Sequence, residues 1–128
     1  MNEEGKSPPT PTPPSSSVLP VHISIEDFQK LALRVGVVTA AQDHPNADRL
    51  LVLTVDVGEA TPRQLVAGIK NSYQAMDLIG KHVVVVSNMR PATLRGIESQ
   101  GMVLAASDGT SIVLVSPERP IKPGSTVK

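Results

Sequence analysis

Six short runs of apolar, largely β-branched residues limit what this chain can fold into: Leu31–Gln42, Leu50–Gly58, Arg63–Ile69, His82–Asn88, Gly101–Ser107 and Ser111–Ser116. Val, Leu and Ile in stretches this short suit strands, where branched side chains stand on a pleated surface. Turn-forming residues separate the runs. Strands that recur at such spacing favour a small barrel or sandwich over a parallel sheet with helical crossovers.

Each run carries its own punctuation. Gly36, in the middle of the first, predicts a bulge or a sharp bend. Gly58 closes the second run, and Glu59–Pro62 turns the chain into the third. Gln74–Gly80 reads as a short helix stopped by Gly80. His82–Asn88 (HVVVVSN) is apolar and β-branched, hence a buried strand. Asp108-Gly109 between the last two runs is a hairpin signal. Upstream, Ser24 followed by Asp27 resembles a capping box and predicts a short helix over 24–30, with Phe28 facing the body. The order is therefore helix, three strands, helix, three strands. An all-β, five-stranded Greek-key barrel with a helix between its third and fourth strands is the OB-fold plan. It leaves the last strand and Ser116–Lys128 outside the minimal barrel, to cap it or to build a dimer interface.

The chain has 128 residues, enough for one compact domain and a tail. Six of its twelve prolines lie in residues 1–20, interleaved with Ser and Thr. Such a stretch cannot bury enough apolar area to offset its ordering entropy. The expected division is a disordered tail or linker over 1–23 and one domain over 24–128. The N-terminus carries acids and no apolar core, unlike a signal peptide. No apolar run reaches the ~18 residues of a membrane span. Without cysteine there is no disulfide framework and no Cys-ligated metal. A cytoplasmic protein with no membrane partner is the expectation.

Net charge is zero, yet it is unevenly spread. Residues 24–59 hold three basic and six acidic groups, whereas residues 60–128 hold eight basic and four acidic. Between Arg63 and Arg95 lie five basic residues and one acid, Asp77. A local cationic surface binds phosphate even on a neutral protein, although an ordinary mixed surface has the same composition. Catalytic signatures are missing. His22, His44 and His82 have no ligand partner at metal-binding spacing, and no phosphate loop, dinucleotide fingerprint or nucleophile elbow occurs. No catalytic residue, metal or cofactor is expected.

Two segments are too polar for core elements. His44-Pro45-Asn46-Ala47-Asp48-Arg49-Leu50 reads as the loop between the first two strands, a position that borders the ligand face of an OB barrel. Asn88–Met102 leaves one buried strand and re-enters another. In it Arg90 and Arg95 can reach phosphates, and Ser99 and Gln100 offer short groups for base edges or ribose hydroxyls. A plain structural loop is the competing reading of both.

Ile25–Phe28, Leu33-Arg34-Val35-Gly36, HPNADRL, LVAGI, VVVVSN and LRGIESQGMVLAAS together resemble the tRNA-binding domain family, in order, across about residues 24–128. That family includes the C-terminal domain or beta subunit of methionyl-tRNA synthetases, free-standing bacterial tRNA-binding proteins and the endothelial monocyte-activating polypeptide module. The resemblance implies an OB fold with a C-terminal extension, a homodimer, and tRNA held by the outside of its elbow with little sequence preference. It assigns tRNA contacts to Ser87, Asn88, Met89, Arg90, Arg95, Ser99, Gln100 and Met102, with Lys70 and Lys81 as phosphate neighbours. Ala92 and Thr93 stand where many relatives carry further basic residues, so affinity is expected to be modest. Glu98 is assigned a structural role, pairing with Arg95. The resemblance makes the chain a non-catalytic appendage of an aminoacyl-tRNA synthetase, most closely methionyl-tRNA synthetase. A methionine–tRNA ligase label then describes lineage or assembly rather than catalysis by this chain. A peptide-binding chaperone of the CsaA type, with the same fold, is the alternative. Only two aromatics are present, Phe28 and Tyr73. Single-strand OB binders rely on aromatic stacking, whereas folded RNA is read by shape, phosphate and ribose, which favours the folded partner.

Overall fold

The computed structural model describes residues 21–128; the tail expected over 1–23 lies, but for its last three residues, outside the described part. The elements are α1 (Ile25–Phe28), β1 (Leu33–Asp43), β2 (Leu51–Asp56), β3 (Arg63–Ala67), α2 (Ala75–Leu78), β4 (His82–Val86), β5 (Ala92–Leu94), β6 (Ile97–Ser99), β7 (Met102–Val103), β8 (Ala105–Ser107), β9 (Ile112–Leu114) and β10 (Thr126–Val127). Ser24 caps α1 as its sequence predicts, its hydroxyl accepting from the Asp27 N–H at 3.0 Å.

The long strand β1 is the hub. Its first half pairs antiparallel with β4, from Leu33↔Val86 to Val37↔His82, and its second half pairs with β2, from Val37↔Asp56 to Asp43↔Leu51. The bulge that lets one strand serve two neighbours falls between Val38 and Ala40, not at Gly36. Gly36 matters for packing instead. A Cβ there would come within 2.5 Å of Val55 Cγ1, so the glycine lets β2 side chains pack onto β1. The sheet runs β3-β2-β1-β4-β7. Its two ends meet at a seam. The Gln100 N–H donates to the Gln64 carbonyl at 2.8 Å, the Gln64 N–H to Gln100 Oε1 at 3.0 Å, and the Val66 N–H to Ser99 Oγ at 2.9 Å. The result is a nearly closed barrel of the OB type.

Alternation sorts the core. Leu51, Leu53 and Val55 of β2, Leu65 and Ala67 of β3, and Val83 and Val85 of β4 fill the barrel with Val38, Ile69 and Leu78. Val84 and Val86 point the other way and meet Leu33, Phe28, Leu104 and Val127 in a second layer. The unbroken HVVVV run is thus buried on both faces, and the pleat sends alternate valines to different cores.

Three sequence expectations change. The Gly101–Ser107 run breaks at Leu104, where β7 leaves β4 and β8 begins a separate hairpin with β9. That hairpin turns through four residues, 108–111, rather than through Asp108-Gly109 alone; the Asp108 carboxylate accepts from the Thr110 and Ser111 N–H groups at 2.9 and 2.8 Å. The segment 91–100, expected as a loop, folds as the β5–β6 hairpin. The C-terminal residues cap the barrel: β10 pairs with the start of β1, and Gly124 packs against Gly58. Both glycines have positive φ, +83 and +90, and a Cβ on either would come within 2.8–2.9 Å of a carbonyl oxygen of the facing segment, so the contact admits only glycine.

Candidate nucleic-acid interface

The β5–β6 hairpin and the 44–49 loop form one unit. The hairpin turns at Arg95 (φ 53) and Gly96 (φ 92), both left-handed, as a two-residue type I′ connection requires. An Asn or Gly is the usual occupant of the first of these positions. Arg95 is the one non-glycine at positive φ among the described residues, in a conformation that costs an L-residue roughly 1–2 kcal/mol. Its guanidinium donates through Nε and Nη2 to the Asn46 carbonyl at 3.3 and 3.1 Å, which fastens the hairpin tip to the loop.

His44 makes the second fastening. It is 4% exposed. Its Nδ1 accepts from the Asn46 N–H at 2.9 Å, so Nε2 carries the proton and donates to the Leu94 carbonyl at 2.9 Å. The histidine beside Asp43 is therefore a structural pin. At the foot of the same loop, Lys70 Nζ lies 3.3 Å from Asp43 Oδ2, and the Lys70 N–H donates to the Arg49 carbonyl. Lys70 belongs to this rim, with part of its charge offset.

The remaining candidate residues divide by where their polar groups point. Ser99 is buried; its hydroxyl accepts from Val66 and donates to the Gly101 carbonyl at 2.9 Å. Ser87 Oγ donates to the Ala32 carbonyl at 2.8 Å. Asn88 Oδ1 accepts from the Ala32 N–H at 2.9 Å, and its Nδ2 donates to the Lys30 carbonyl, tying the end of β4 to the connection between α1 and β1. Gln100 spends Oε1 on the seam. Met89 and Met102 are 46% and 44% exposed, and Arg90 is exposed. Lys81 is not brought to this face. It precedes β4, while Ser87 follows it, about 20 Å away along an extended strand. Arg95 and Glu98 do not pair: among the described residues the ion pairs are Lys30–Asp27, Arg63–Glu59 and Lys70–Asp43.

Sequence reasoning missed Arg63. Its Nη1 donates to the Ser87 carbonyl and, at 3.0 Å, to the Gln100 carbonyl, while Nε and Nη2 hold both oxygens of Glu59. The Arg63 hydrogen bond keeps the Glu59 carboxyl below its ordinary range. This side chain staples the end of β4 to the seam. No local signal marks this stapling role, because the two carbonyls it joins lie 24 and 37 residues away. Both aromatics are occupied in packing: Phe28 lies against the second layer, and the Tyr73 hydroxyl accepts from the Leu114 N–H at 3.0 Å.

An OB-type barrel with a pinned polar loop, an exposed arginine hairpin and no exposed aromatic platform among its described residues defines the class: a small β-barrel module built for binding. The chain belongs to the tRNA-binding domain family; residues 33–126 match the family described as "Putative tRNA binding domain". It is 50% identical over 107 residues to the methionine–tRNA ligase of Thermococcus onnurineus, a match covering 84% of this chain and 14% of that enzyme. The chain thus spans about one-seventh of the length of the curated relatives it matches. Among solved structures, the methionyl-tRNA synthetase-related protein of Pyrococcus horikoshii superposes with a TM-score of 0.78 at 28% identity, covering 84% of this chain and 99% of that one. The chaperone CsaA of Bacillus anthracis superposes at 0.77 with 32% identity, covering 84% and 100%. No helix among the described residues is long and apolar enough to cross a membrane.

Proposed function

We propose that this chain binds folded tRNA through the surface formed by the Ser87–Arg90 turn, the β5–β6 hairpin and the 44–49 loop. It acts as a non-catalytic appendage of an aminoacyl-tRNA synthetase, with methionyl-tRNA synthetase the first candidate. The observation that carries this is the hairpin tip. Arg95 is kept in a backbone conformation that disfavours it, and strain of this kind collects at functional positions. Arg90 and Arg95 contact phosphates, Met89 and Met102 pack on ribose and base surfaces, and the free amide of Gln100 reaches a hydroxyl or base edge. Ser87, Asn88 and Ser99 shape this surface from within. Lys70 contributes at the rim, and Lys81 lies outside the contact.

Such a contact raises the concentration of tRNA near a catalytic body, so a weak interaction suffices. A cytoplasmic location follows from that role. The exposed apolar side chains Val21, Ile23 and Ile25 near α1, and Val113, Val115 and Ile121 in and after β9, support a homodimer built on the N- and C-terminal margins of the barrel. The full-length superposition on CsaA supports a second reading, a peptide-binding chaperone. One experiment separates the two: a gel shift with folded tRNA across salt, with single-stranded RNA as competitor. Micromolar-range binding is expected, weakening steeply with salt and reduced in Arg90→Ala and Arg95→Ala. Failure of folded tRNA to bind at low salt sinks the proposal and leaves the chaperone.

A further inference from the structure

A second cationic feature lies beside this surface and is not explained by it. A cleft of about 580 Å³ opens where β2 ends, between Arg34, Glu59, Arg63 and Lys122, and it shares Ser87 and Asn88 with the hairpin face. Arg63 and Glu59 cancel each other: Nε and Nη2 of the arginine sit 2.9 and 2.8 Å from the two carboxylate oxygens. The remaining Arg63 nitrogen is spent on the Ser87 and Gln100 carbonyls. What is left is Arg34 and Lys122. Arg34 uses Nη1 on the Gly124 carbonyl at 3.1 Å and keeps Nε and Nη2 for a ligand. Its charge also reaches Glu59 and helps hold that carboxyl ionised. Neither Arg34 nor Lys122 has an acidic partner within ion-pair reach among the described residues. The cleft therefore has two uncompensated positive charges. Backbone of Gly58 and Gly124 forms part of its wall.

We infer that the Arg34–Lys122 cleft is a second phosphate site, occupied by a backbone phosphate of the same RNA as it runs off the hairpin face. A planar guanidinium and a mobile ammonium converging on an open, polar hollow suit a tetrahedral oxyanion. Continuity through Ser87 and Asn88 makes the RNA already on the neighbouring face the nearest source of that phosphate. This inference rests on the proposed tRNA binding. A free phosphate ion is the other source with the same chemistry.

The test uses the full chain and two variants, Lys122→Ala and Arg34→Gln, with Arg90→Ala as reference. Both side chains are exposed, Arg34→Gln gives up one exposed hydrogen bond, and Lys122 has no side-chain partner among the described residues, so both variants should melt close to the wild type. Affinity for folded tRNA is measured across salt. Each cleft variant is expected to lower the magnitude of the log–log salt slope by about 0.7–0.9, additively with Arg90→Ala. An unchanged slope in both, while Arg90→Ala lowers it, overturns the cleft and leaves the hairpin reading intact. Unchanged slopes in all three, Arg90→Ala included, refute the tRNA reading itself. In a second arm inorganic phosphate alone is titrated and the Gly58 and Gly124 amides are followed by NMR. Shifts there, together with unchanged tRNA slopes, make the cleft a small-anion site and overturn its assignment to RNA.

Discussion

Ser99→Ala separates a residue that touches RNA from one that builds the surface RNA touches. Ser99 is 4% exposed and spans the seam, its hydroxyl accepting from the Val66 N–H and donating to the Gly101 carbonyl. Alanine fits the space but leaves the N–H of buried Val66 without a partner. An orphaned buried donor costs about 1–3 kcal/mol. The half-exposed Gly101 carbonyl can turn to water and adds little. In a domain of this size each kcal/mol lowers Tm by roughly 4–8 °C, so a drop of roughly 4–24 °C is expected by calorimetry. Binding of folded tRNA, measured well below both melting temperatures, should change by less than about threefold, because the lost bonds lie behind the surface. A melting temperature equal to the wild type's, combined with a tenfold or greater loss of affinity, refutes this reasoning. It places the Ser99 hydroxyl on the RNA.

Arg95→Asn should do the opposite. Asparagine tolerates the left-handed turn, so relief of strain offsets the two exposed bonds to Asn46 and the melting temperature holds within a few degrees, while tRNA affinity and salt slope both fall. A large loss of stability with unchanged binding would count against the hairpin as a contact. His44→Ala removes a buried pin and should cost about 1–3 kcal/mol in urea unfolding, with tRNA affinity falling as the loop and hairpin part. Asp108 is held below its ordinary range by the Ser111 and Thr110 N–H groups. A lowered folded-state value contributes stability that is complete above the unfolded carboxylate value and lost as pH falls toward the folded one. The gap in Tm between wild type and Asp108→Ala should therefore be wide near about pH 6 and narrow near about pH 2. A gap independent of pH contradicts the charge-assisted turn.

Strand identity was legible wherever one residue's neighbours decide it. β-branched runs marked β1 to β4, Ser24 marked its helix, and Asp108-Gly109 marked its hairpin. The β5–β6 hairpin was not legible. β5 is exposed throughout and the alternation of β6 spans only three residues, too short to read, and the turn uses an arginine where sequence signals expect Asn or Gly. Within the segment proposed as the site, the roles of the polar side chains were misread. Serine and amide side chains look alike in sequence whether they face solvent or bridge a seam. Only the approach of β3 to Ser99 and Gln100 distinguishes them. The bulge at Val38/Ala40 escaped notice for a similar reason, since it answers the need of β1 to pair with both β4 and β2.

The most direct test of the account is an amide chemical-shift map of the chain titrated with folded tRNA. The account predicts that shifts and broadening concentrate at Met89, Arg90, Leu94–Gly96 and Gln100–Met102, with the Lys81 end of β4 and α2 undisturbed. Perturbations confined to α2 and Lys81, or to α1 and β10, with the hairpin amides unmoved, would contradict it.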